Sequence, residues 1–174
     1  FDATVVSTVI DVCCAIYVCF LIIQFHDLFS AVWGRLPDDT VYSEYARRGF
    51  FELTAVAALN LLLLLGAYFS KNRRRASVQI SLTALTLLTL ALIASAFSKM
   101  AMYIRVYGLT PLRLYTSWFM LALAAVFVIL LLSHFIKHSN AGRSVVIAMT
   151  AALLTLNFAA PDALIARCNA ERYL

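Results

Sequence analysis

The chain has 174 residues, of which 63% are hydrophobic and 13% charged, with net charge +5 and mean hydropathy +0.88. Soluble domains run at roughly 45–50% apolar and about 25% charged, so a water-soluble core of this size is excluded and the solvent must be lipid. On such a chain a basic balance reads as membrane topology and lipid contact, which argues against nucleic acid as a partner.

An apolar run of about 20 residues crosses the roughly 30 Å hydrocarbon layer as a helix, because lipid offers free backbone groups no partner. Five such runs predict an all-α integral membrane bundle of about five transmembrane helices, one domain over 1–174. The first is about Val5 to Phe25, "VVSTVIDVCCAIYVCFLIIQF". It holds Cys13, Cys14 and Cys19; the fourth cysteine is Cys168. Cys13 and Cys14 point to different faces of a helix and no second pair has metal-ligand spacing, so the cysteines read as small apolar packing residues. Asp11 lies about two turns into this run, and an intramembrane acid is a functional hypothesis by default. Its expected partner is "KNRRR" or Lys137; a helix boundary that leaves Asp11 among the headgroups is the competing reading. The run is too long and too poorly flanked for a signal peptide. The chain starts at Phe1, with no initiator Met, and stops at "NAERYL", and reads as a piece of a longer protein.

Between the first and second runs, Pro37 breaks the chain, and Asp38, Asp39 and Thr40 are N-caps for a short helix ending near Arg48. Trp33, Tyr42 and Tyr45 suit a headgroup belt. The second run is Gly49 to Phe69, and "SKNRRR" is a tight basic turn. The third is Ala76 to about Phe97. "RVYGLTPLR" is a loop around Gly108 and Pro111, and the fourth run is Leu112 to Ile136. After the basic turn "KHSNAGR" comes the fifth, about Gly142 to Ala160. Pro161 and Asp162 then open an amphipathic helix over 161–174, read as an interfacial or exit helix. The raw basic count favours the opposite orientation. The density and shortness of the basic loops 71–75 and 137–143 nevertheless place them in the cytoplasm, because the rule is most reliable in short loops.

Charged and phenolic groups gather where runs two, three and four meet on the outer side. Arg48 and Glu52 are i,i+4 neighbours on one helical face, continued by Ala55 and Leu59 and flanked by Asn60. Lys99 and Tyr103 share a face at the far end of run three, at nearly the depth of Glu52, and a lysine stem can snorkel across the difference. Arg113 and Tyr115 enter the same level on run four. Anchoring in the headgroup layer is one reading. The other is a ligand- or partner-binding site of Arg47, Arg48, Glu52, Lys99, Tyr103, Tyr107, Arg113 and Tyr115, because simple anchors seldom include a carboxylate. His134 and His138 have metal-ligand spacing, but no third ligand is near in sequence and a helix C-terminus favours histidine through its dipole. No metal and no cofactor is expected.

The stretches "YSEYARRGFFELTAVAALNLLLLL", "AFSKMAMYIRVYGLTPLRLYTSWFM" and "PDALIARCNAERY" resemble the bacterial polytopic membrane family called domain of unknown function 4173, with its relative 4153. The resemblance covers the chain from about Tyr42. It places the family's motif positions at Tyr45, Arg47, Arg48, Gly49, Phe51 and Glu52, at Tyr107 through Thr110, at Arg113 and Tyr115, and at Pro161, Asp162 and Arg167. Ala160 stands where the family usually has asparagine. The resemblance implies that the chain is the C-terminal part of a larger membrane protein, with upstream helices as possible partners, in a bacterial cytoplasmic (inner) membrane, and carries no activity over.

Three functions compete. The first is a non-enzymatic sensing, assembly or scaffold module that binds a lipid headgroup or a partner protein at the charged mouth. The alternative is a transporter with Glu52 as coupling carboxylate, although no helix is broken by Gly or Pro at mid-membrane. The third is a lipid-modifying enzyme, for which the chain shows no HExxH, no GxSxG and no carboxylate pair at one depth. No catalytic residue is assigned.

Overall fold

The computed structural model describes the backbone of residues 3–32, 42–68, 76–135 and 141–173. These residues form six helices: α1 (Ala3–Val32), α2 (Tyr42–Tyr68), α3 (Ala76–Tyr107), α4 (Pro111–Phe135), α5 (Ala141–Phe158) and α6 (Pro161–Tyr173). No strand occurs among the described residues. α3 and α4 are each long and apolar enough to cross a membrane. α5 and α6 qualify together as a pair bent by 64°, whereas the apolar described parts of α1 and α2, Ser7–Ile23 and Phe50–Leu64, are shorter.

α3 is the centre, with α1, α2 and α4 each packed on it. Its sequence explains why. Val78, Leu82, Leu85, Thr89, Leu92, Ala96 and Lys99, spaced alternately by four and three, are all buried, the seam a helix presents to a partner. Thr86, Ile93 and Met100 widen the buried face on one flank, and Ser81, Ser95 and Met102 on the other. Only a narrow stripe stays outside, with Ile80 70% and Leu87 52% exposed. Against α3, α1 sets Ile10 and Tyr17, with Cys13, Cys14 and Leu21 beside them, and α2 sets Leu53, Ala57 and Leu64. Met120 and Phe127 of α4 are fully enclosed. α4 also packs against α5 and α6. Trp118 Nε1 donates to the Ala152 carbonyl at 3.0 Å.

α2 corrects one expectation. It runs unbroken through Gly49, so no separate short helix ends near Arg48; a lone glycine costs only about 1 kcal/mol in a helix interior. α3 also outruns its apolar run, ending at Tyr107 because the next residue, Gly108, turns left-handed at φ 79. The Gly108 amide closes onto the Ile104 carbonyl at 2.8 Å, a C-terminal glycine stop. Three residues later α4 starts with Pro111 at its first position, where the missing N–H costs nothing.

Candidate functional site

The α3–α4 link builds the polar feature of that end. Tyr103 and Tyr107 lie one turn apart on the last turns of α3, their rings edge to face at 5.3 Å between centroids. Arg113, on the first turn of α4, folds back over them. Its guanidinium carbon sits 3.9 Å from the centre of the Tyr103 ring and 5.7 Å from that of Tyr107. Its Nη1 donates to the Gly108 carbonyl at 2.6 Å. Two forces hold it there: the ring quadrupoles, worth about 0.5–2 kcal/mol, and the negative end of the α3 dipole.

Arg113 and Tyr103 line a cleft of about 290 Å³ between α2, α3 and α4. Phe50, Phe51, Met100 and Leu112 form its apolar walls, and Thr110 and Thr116 add hydroxyls. Phe50 is in turn braced edge to face against Phe119 at 6.0 Å. A guanidinium carries its five donors in a planar fork that matches a carboxylate or phosphate. The cleft therefore offers one cationic fork, a few hydroxyls and a mostly apolar body.

A second, smaller cavity of about 30 Å³ lies deeper, lined by Glu52, Leu53 and Val56 of α2, by Leu92, Ser95, Ala96 and Lys99 of α3, and by Phe20 of α1. Its volume is about that of one water. Lys99 is only 5% exposed, and Glu52 is half-buried beside it. Neither residue is without a partner.

The expected mouth residues thus divide. Tyr103, Tyr107 and Arg113 form one assembly, and Glu52 and Lys99 line another cavity on a neighbouring face of α3. Tyr115 is exposed on α4 and lines neither. The side chains of Arg47 and Arg48 lie outside the described residues. The expected helical face of Glu52, Ala55 and Leu59 is mostly an outer one, since Ala55 and Leu59 are exposed; the buried stripe of α2 is Leu53, Ala57, Asn60 and Leu64. Asp11 belongs to the opposite end of α3, where Ser81 Oγ donates to its Oδ1 at 2.6 Å. The basic stretches expected to face it lie outside the described residues, as does His138.

Two arrangements escaped the sequence reading. Midway along the bundle, Tyr17 Oη donates to Asn60 Oδ1 at 2.7 Å, and Asn60 Nδ2 donates to Thr89 Oγ1 at 2.7 Å. This polar seam joins α1, α2 and α3, with Asn60 and Thr89 fully buried. A lone amide inside "AALNLLLLL" was its signal, because a buried amide demands partners. The second is Asn169 on α6. Its Oδ1 accepts from the Leu109 amide and its Nδ2 donates to the Leu109 carbonyl, both at 2.9 Å.

The model of the family described as Domain of unknown function (DUF4153) matches residues 1–174. That is the relative named second above, and the match takes in the first helix as well. No curated protein and no solved structure matches the chain.

Proposed function

We propose, from the premise that the chain belongs to the DUF4153 family over its whole length, that it is a multi-pass protein of the bacterial inner membrane. In this reading it is a non-enzymatic sensing, assembly or scaffold module that captures an anionic lipid headgroup in the Arg113 cleft. The observation that carries the reading is the guanidinium held over the Tyr103 ring at the wall of a largely apolar cleft. A fixed cationic fork beside apolar walls suits a phosphate that continues into hydrocarbon. α1 and α2, at 30 and 27 residues, have the length to cross with α3, α4 and the bent α5–α6 pair, which makes five spans. The basic loops 71–75 and 137–143 then face the cytoplasm and the cleft opens on the outer side. We extend the relation to the 4173 family on the motifs quoted above.

The test is lipid retention by the full chain in nanodiscs, read by native mass spectrometry. The protein should keep phosphatidylglycerol over phosphatidylcholine, and Arg113→Ala should lower that retention roughly tenfold or more, as expected for loss of a charged hydrogen-bonding partner. Equal retention of the two lipids by the unaltered protein defeats the reading.

A second reading is transport of a small solute with Glu52 as coupling carboxylate. The shared cavity of Glu52 and the buried Lys99 favours it. It requires solute flux in liposomes that Glu52→Gln abolishes.

A further inference from the structure

The peptide plane between Gly108 and Leu109 is gripped at both ends. Its carbonyl oxygen accepts the Arg113 guanidinium, and its N–H donates to Asn169 of α6. Asn169 closes the grip with a second bond, from its Nδ2 to the Leu109 carbonyl. Gly108 holds a positive φ of 79, a conformation glycine enters and leaves without the steric penalty other residues meet. Within the link only Arg113 holds that plane, by its oxygen; its N–H end is held by the amide of Asn169, sixty residues further on. Rotation of the plane would carry away the oxygen that orients Arg113, and the next residue, Thr110, lines the cleft itself.

We infer that Asn169 is a positioning residue for the Arg113 cleft: by fixing the Gly108–Leu109 peptide it sets the direction in which the guanidinium fork meets an anionic ligand. α6 is then part of the binding apparatus although its side chains line no wall of the cleft. It reaches the site through docking on α4, and a change in that docking is passed to the guanidinium through one amide plane. The inference rests on the headgroup reading for its ligand, while the orientation of Arg113 is open to a separate measurement.

The experiment uses the full chain in nanodiscs, unaltered and as Asn169→Ala, Asn169→Leu and Arg113→Ala. Asn169→Leu keeps the branched heavy-atom skeleton of the side chain, with bulkier methyl ends, and removes its hydrogen bonds; Asn169→Ala removes them without added bulk. Two readouts are taken, retention of phosphatidylglycerol and the rate at which phenylglyoxal modifies Arg113, followed on the peptide by mass spectrometry. Both Asn169 variants should retain helicity and thermal midpoint to within a few degrees. They should lose phosphatidylglycerol about three- to tenfold, as for one or two neutral hydrogen bonds, less than Arg113→Ala does, and modify at Arg113 several times faster. Unchanged retention and unchanged modification in both variants overturn the inference. If Arg113→Ala leaves retention untouched, the headgroup reading fails, and the modification rate alone then decides whether Asn169 holds Arg113.

Discussion

Ala160 sits between α5 and α6 with φ 44, and its carbonyl accepts from the amides of Ala163 and Leu164 at 3.0 and 3.2 Å. It serves at once as the stop of one helix and the first acceptor of the next. The left-handed backbone brings its Cβ against a carbonyl, at roughly 1–2 kcal/mol for an L-residue. Glycine removes that penalty and loses part of the gain through its freer unfolded chain, about 0.5–1 kcal/mol. Ala160→Gly should therefore raise the thermal midpoint in detergent by about 1–4 °C, measured by the loss of helical ellipticity. A drop would mean that the strain is compensated elsewhere. At this scale the sequence was partly legible. Pro161 and Asp162 announced the start of α6, and the cluster of Tyr103, Tyr107 and Arg113 followed from their places around the Gly–Pro link. The partner of Leu109 was not legible, because no local pattern shows which surface α6 docks on.

Among the helices, the seam through Tyr17, Asn60 and Thr89 fixes which faces of α1 and α2 meet α3. Three apolar stripes alone would tolerate rotation or sliding, whereas a buried amide is satisfied in one register only. Interhelical hydrogen bonds of this kind average about 0.6 kcal/mol in membranes and reach about 1.7. Tyr17→Phe should cost around that amount, and Asn60→Ala about 2–3 kcal/mol, since it strips two partners and leaves a void. In a double-mutant cycle the combined variant should cost less than the two singles together. Strict additivity would show that Tyr17 and Asn60 are adjacent without being coupled. The helices themselves were legible because long apolar runs punctuated by Gly and Pro leave few alternatives. Their ends were less so. α3 continues past the apolar stretch because nothing in "SKMAMYIRVY" breaks a helix, and burial of Lys99 is a tertiary outcome that hydropathy does not report.

For the molecule as a whole, the proposed membrane embedding makes a claim about the outer stripe of α3. Ile80 and Leu87 are exposed, while the face of α3 carrying Leu82, Leu85, Thr89 and Leu92 is buried. In bilayers with brominated acyl chains, a tryptophan placed as Leu87→Trp, in a background with Trp33 and Trp118 replaced by Phe, should be quenched strongly. Emission typical of water and insensitive to bromine would place that stripe outside the hydrocarbon. The same packing has a consequence for how the protein is made. Synthesis runs from the N-terminus, so Tyr17 and Asn60 are made before Thr89, and α1 and α2 have no hub until α3 arrives. A nascent chain halted before Ala76 leaves the Asn60 amide without its Thr89 partner and the inner faces of α1 and α2 without the helix that covers them. Such a fragment should need an insertase or chaperone to survive, and in pulse–chase should be degraded faster than one released after Tyr107.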